Sequence, residues 1–137
     1  MVSLDAHSND SPGIVSFKSP YSFDDTVRRL LAAFADHGAK VFATIDQQAE
    51  ALAAGLSMPP TTLILFGNPK AGTPLMLANP QSGVDLPLKA LVVELPEGRV
   101  DVIINSAAYI IGRHSLPEQL AANLLSVERL IANTLGY

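Results

Sequence analysis

The sequence predicts an α/β (α+β) domain of two layers, a mixed sheet of about five strands with helices packed on it. Three observations lead there. Apolar runs rich in β-branched residues, several alternating with polar ones, recur at residues 13–18, 61–66 and 99–105. Between the first two, Phe23, Val27, Leu30, Leu31 and Phe34 repeat at helical spacing. The 137 residues contain no repeat and no linker, and are enough to bury one core without metal or disulfide staples.

Each element follows from its residues. Residues 13–18 (GIVSFK) read as a first strand ended by Ser19-Pro20. Ser22 opens a helix, with Asp24 and Asp25 at the positive end of its dipole and Gly38 as its stop. Residues 41–45 form a second strand, expected parallel to the first through a right-handed crossover. Asp46 is placed to cap a short helix over 47–54, which Gly55 ends. Residues 61–66 (TTLILF) read as an interior strand. Residues 88–95 and 99–105 form an antiparallel hairpin around Pro96-Glu97-Gly98, with Arg99, Asp101 and Asn105 on its wetter face. Ser115-Leu116-Pro117-Glu118 has the form of a capping box, and it opens a last helix that turns Leu120, Leu124, Val127 and Ile131 inward. Residues 1–12 lack the basic start and apolar core of a secretory signal and read as a flexible leader to a single domain over 13–137.

Residues 66–89 (FGNPKAGTPLMLANPQSGVDLPLK) fit neither period. They hold Pro69, Pro74, Pro80 and Pro87, and Pro60 sets their approach. A loop of this length in a small domain is uncommon and is usually functional or disordered. Leu75, Met76, Leu77, Val84 and Leu86 argue for a packed one.

Composition excludes several function classes. Charged residues make up 16% against 48% hydrophobic, which leaves a sparsely charged surface and favours self-association. A net charge of −4 speaks against a nucleic-acid partner. With no cysteine there is no disulfide, thiol catalysis or thiolate metal site, and His7, His37 and His114 are too scattered to propose a metal; no cofactor is implied. No apolar run approaches the ~20 residues that cross a bilayer, so no membrane partner is expected and the cytoplasm is the default location.

The polar residues that could bind or react gather around 66–89. Asn68, Lys70 and Thr73 follow an interior strand, where crevices of α/β sheets open, and backbone N–H groups beside Lys70 could hold an anion. Gly67-x4-Gly72 continues as Thr73-Pro74, so it is no P-loop. The alternative is a loop held by its own Leu75 and Met76. Arg113 could fix a carboxylate or phosphate, with His114 as base or donor; equally, the pair could tie the hairpin to the helix start. As a base His114 needs an acid such as Asp46 or Asp85 within reach. On their own, Asp46 reads as a helix cap and Asp85 as a turn. The serines lack a nucleophile-elbow context.

Phe66-Gly67-Asn68-Pro69-Lys70, Gly72-Thr73-Pro74-Leu75-Met76, Asn79-Pro80 and Asp85-Leu86-Pro87-Leu88-Lys89 together resemble the core signature of the domain of unknown function 302 family. Thr44-Ile45-Asp46, Asn105, Tyr109 and Arg113-His114 agree with it. The resemblance implies a small α/β domain, commonly a homodimer, without an established activity. Two positions depart from the pattern. Gln47 stands where the family usually has histidine, and Asn105-Ser106-Ala107 stands for Asn-Asp-Pro. Glutamine and serine hydrogen-bond but do not carry protons at neutral pH, which weighs against acid/base catalysis there.

The leading expectation is a homodimeric ligand-binding or accessory module for a small anionic ligand, with Asn68, Lys70, Thr73, Lys89, Arg113 and His114 as its polar lining. One alternative is an enzyme on a small anionic or carbonyl substrate with His114 as base. Another is a structural dimer in which Leu75, Met76 and Leu77 form the interface together with an exposed sheet edge.

Overall fold

A computed structural model describes residues 11–137; the expected leader, Ser11 and Pro12 apart, and His7 lie outside them. The elements run β1 (Ile14–Ser19), α1 (Phe23–Asp36), β2 (Lys40–Asp46), α2 (Gln47–Ala53), β3 (Thr61–Gly67), α3 (Pro69–Ala78), β4 (Leu88–Glu94), β5 (Val100–Asn105), α4 (Ala107–Arg113) and α5 (Ala121–Thr134). Short 3₁₀ segments occupy Pro80–Asp85, Pro96–Gly98 and Glu118–Leu120. The predicted α/β class, the five strands and the layer of helices are all present.

The sheet order is β1-β5-β4-β3-β2, and every neighbouring pair is antiparallel. The expected mixed sheet is therefore corrected to an antiparallel one. β1 and β2 do run in the same direction, but at opposite edges, so α1 connects strands that never touch. The short link over 95–99 leaves β4 and β5 only antiparallel pairing, and the longer link over 47–60, with α2 in it, also brings the chain back antiparallel to β2.

One face of the sheet carries the core. Phe17, Val102 and Val92 form one cross-strand row, and Ile104, Ala90 and Ile64 the next; all are buried. Against them α1 sets Leu30 and Phe34, α3 sets Leu75, and α5 sets Leu124 and Ile131. The rings of Phe34 and Phe66 stack at 4.0 Å and 11°, joining the first helix to the end of β3. Burying a side chain of this size is worth about 1.5–3 kcal/mol, and this pair adds ring-on-ring contact.

Caps explain where most helices begin. Ser22 accepts from the Asp25 amide at 3.2 Å, and Asp46 from Ala49 at 2.9 Å, as the sequence predicts. Two elements differ. Ser115 does not cap the last helix; it sits at φ 50°, and the chain passes through the 3₁₀ turn before α5 starts at Ala121 without a side-chain cap. α4 also goes unseen in the sequence. It is capped by Ser106, which accepts from the Tyr109 amide at 3.2 Å.

The principal correction concerns residues 66–89. They are a helix and a 3₁₀ turn, not a loop. Asn68 caps α3 by accepting from the Lys70 amide at 2.9 Å, with Pro69 at the first helical position. Asn79 repeats the device for the turn, accepting from Gln81 at 3.1 Å. Pro74 lies inside α3, where it removes a donor, and Leu75, Met76 and Leu77 point to three sides instead of one. That combination erases the stripe by which a helix is recognised.

Candidate functional site

The antiparallel order sorts the loops between the two ends of the sheet. β3 and β5 finish at the end where β1, β2 and β4 begin. Asn68, the start of α3, Lys89 and Ser106 therefore gather at one end, and Asp46, Gln47 and Glu94 at the other. The two positions that depart from the family pattern, Gln47 and Ser106, sit at opposite ends. They are two separate substitutions, each next to or within a helix cap, and not losses from one proton-transfer site.

At the α3 end lies a cavity of about 660 Å³. Its walls come from five directions. α3 contributes Pro69, Ala71, Gly72, Thr73 and Met76, and α5 contributes Asn123, Leu124, Ser126, Val127 and Leu130. The sheet ends give Phe66, Gly67, Leu86, Pro87 and Leu88, with Asn68 joining β3 to α3, and His37, Ala39 and Phe42 close the side next to β2. The bulge between Val41 and Ala43 makes Phe42 available, because it leaves that residue out of the β2–β3 ladder and lets its ring face the cavity. Asn123 Nδ2 donates to Ala71 O at 3.1 Å, pinning α5 to α3 along one wall.

No Asp, Glu, Lys or Arg lines this cavity. Its polar groups are His37, Asn68, Thr73, Asn123 and Ser126. Of the six residues expected as a single polar lining, Asn68 and Thr73 are there. Lys70 is exposed on α3 and outside the lining. Lys89 donates to Pro87 O at 3.3 Å. Arg113 and His114 belong to a different cluster.

That cluster is built around Asp85. Arg113 Nη1 donates to Asp85 Oδ1 at 3.0 Å and Oδ2 at 3.1 Å, and His114 Nε2 lies 2.5 Å from Oδ2. His114 Nδ1 faces Gln81 Nε2 at 3.3 Å, and Asn79 Nδ2 donates to the His114 carbonyl at 2.9 Å. With the amide in this orientation, Nε2–H donates to Asp85 and Nδ1 accepts from Gln81. The His114 side chain is 1% exposed and both its nitrogens are engaged. Asp85 is thus the acid that His114 reaches, but no cleft opens onto the imidazole. The cluster clamps the 3₁₀ turn onto the end of α4, a tie different from the one expected between the hairpin and the start of the last helix.

Leu75, Met76 and Leu77 also separate. Leu75 is fully buried in the core and is corrected from interface to core. Met76 lines the cavity, and Leu77 is 79% exposed.

Sequence reasoning missed the α5 wall and Phe42. The only available signal was the polar pair Asn123 and Ser126 in the otherwise apolar first half of α5. Among the described residues no group of three or more His, Cys, Asp or Glu side chains could hold a metal ion, and no helix is long and apolar enough to cross a membrane.

Comparison with known proteins places this geometry. Two longer proteins match over 104 residues at 42% identity: "Fluoride-specific ion channel FluC 1" of Brucella suis biovar 1 (strain 1330) and the protein of the same name of Brucella abortus biovar 1 (strain 9-941). The match takes in 76% of this chain but only 41% and 38% of theirs, so the chain spans less than half the length of these relatives. A crystal structure described as an uncharacterized conserved DUF302 protein from Bacillus stearothermophilus superposes with a TM-score of 0.76. It covers 91% of this chain and 97% of that one at 17% identity, a likeness of fold. The model of the family "Domain of unknown function DUF302" matches residues 15–134, nearly the whole described chain including α3, the Asp85 cluster and the cavity walls, and the protein belongs to that family.

Proposed function

We propose that this chain is an accessory module, working as a pair of copies, that binds a small uncharged and largely apolar molecule in the cavity between α3 and α5. The observation that carries this reading is the cavity itself: about 660 Å³, within the range of small-molecule sites, and free of any ionised acid, lysine or arginine. An anionic ligand would find no cation there, since Lys70, Lys89 and Arg113 all lie outside the lining. A ligand with an apolar body and one hydrogen-bonding end meets Phe42, Phe66, Met76 and Leu130 with its body, and Asn68, Thr73 or Asn123 with its end.

The accessory part of the reading draws on the Brucella relatives. They carry a channel's name, and among the described residues of this chain no helix is long and apolar enough to cross a membrane. Ion conduction in them then rests on the remaining length, with this domain beside it as a sensing or assembly unit. An enzyme with His114 as base gains no support, because the imidazole is sealed between Asp85 and Gln81.

The test is titration with N-phenyl-1-naphthylamine, an uncharged apolar fluorophore excited at wavelengths where tryptophan does not absorb. Saturable binding is expected, lost in Thr73→Trp and Met76→Trp, which fill the cavity, and kept in Lys70→Ala. Absence of saturable binding, or equal binding in the filled variants, overturns the reading.

A further inference from the structure

We propose that the sheet face turned away from the helices is the surface on which two copies of this chain meet. This deepens the two-copy part of the proposed function and rests on it. The register places Ile45, Leu63, Leu91 and Ile103 in one unbroken row across β2, β3, β4 and β5, ending at Ser16 on β1. Leu65 and Val93 flank it on the same face, since side chains alternate along each strand. None of these six belongs to the core cluster or packs against it, and all are partly exposed. An antiparallel sheet with one solvated face normally turns polar residues outward. Here the middle of that face is as apolar as the core side.

The occupant that fits is a second copy. Five strands about 4.8 Å apart and about 20 Å long offer roughly 500 Å² per protomer, or about 1,000 Å² for a pair, the size at which a stable interface begins. Charge stays at the margins of the face: Lys18 lies opposite Asp101 at one end, where Arg99 already holds the Asp101 carboxylate at 3.0 Å, and Lys89 lies opposite Leu65 at the other. A two-fold axis lying across the strands through the apolar row packs the row on itself. A closed, self-complementary contact of this kind stops at two. It leaves the cavity free, because the cavity is walled by helices on the other side of the sheet.

The experiment is sedimentation velocity of the full chain at micromolar concentration. The wild type is expected as a dimer, Leu91→Lys as a monomer with an unchanged far-UV spectrum, and Leu77→Glu as a dimer. Should Leu91→Lys fail to fold, Leu91→Cys serves in its place. The chain has no cysteine of its own, so a short bis-maleimide, able to span the ~10 Å between packed sheets, is expected to give a covalent dimer from Leu91→Cys and none from Leu77→Cys. A dimer that survives Leu91→Lys, or that Leu77→Glu alone dissociates, overturns this face while leaving the pair intact. A wild type that stays monomeric overturns both, and if it also floats with phosphatidylcholine vesicles the face belongs to a lipid surface. The fluorophore titration reads the cavity independently of either result.

Discussion

His114 Nε2 and Asp85 Oδ2 stand 2.5 Å apart across 29 positions of sequence, and the imidazole is sealed from solvent on its other side by the Gln81 amide. The contact joins the turn after α3 to the junction between α4 and α5. Removing the acceptor should therefore loosen two parts of the fold at once. Asp85→Ala leaves a buried N–H donor without a partner, which costs about 1–3 kcal/mol. Asp85→Asn keeps an acceptor for Nε2–H and should lose less. Urea denaturation of the two variants checks the order.

Phe34→Ala should be among the most damaging single substitutions. It removes a fully buried ring and its stacking partner at 4.0 Å from Phe66, with an expected loss of about 3–5 kcal/mol in chemical unfolding. Because Phe66 also lines the cavity, the same variant should weaken naphthylamine binding more than its distance from the ligand suggests.

Gly13 is a position where only glycine fits. Its φ is 82°, and an added Cβ would lie 2.7 Å from the Tyr109 ring. Gly13→Ala then incurs both the left-handed backbone and the collision. In a Tyr109→Ala background the collision is gone, and the cost of Gly13→Ala should fall to about 1–2 kcal/mol. A thermodynamic cycle over the four proteins measures the difference.

Tyr137 gives the fold an alkaline limit. Burial pushes its phenol above the ordinary 10.0, although the hydrogen bond to Lys18 O at 2.7 Å pulls the other way and nearby Asp101 adds to the rise. A group whose pKa is higher in the folded than in the unfolded chain gives stability that is complete below the unfolded value and disappears as pH passes the folded one. Unfolding free energy should thus decline above about pH 10, and Tyr137→Phe should flatten that part of the profile. Denaturation at pH 9 and pH 11 distinguishes the two proteins.

Much of this architecture is legible in the residues because the signals are local. Ser22 and Asp46 announce their helices, the alternation in β1 and β5 announces strands, and so does the β-branched apolar run of β3. What was not legible depends on contacts distant in sequence. No local pattern says that β1 passes over its neighbour in sequence to pair with β5, which is why a mixed sheet was expected. α3 is disguised by Pro74 and by three consecutive apolar residues with three destinations. The candidate site was half visible. Asn68 and Thr73 lie where a crevice was expected, but composition could not reveal that Lys70 points away or that Arg113 and His114 are committed to Asp85. The α5 wall comes from the far end of the chain and had no signature beyond Asn123 and Ser126.

The strand order also governs how the molecule can be made. β1 is the first strand synthesised but pairs Ile14 with Asn105 and Ser19 with Val100, so its ladder forms only once β5 exists. Closing so large a loop is slow relative to local pairing. On the ribosome the β2–β3–β4 ladders can assemble as each strand emerges, while β1 waits with one side of Phe17 exposed. The order of synthesis thus makes the first strand the last to be secured, and the folding of this domain is complete only after β5 has emerged.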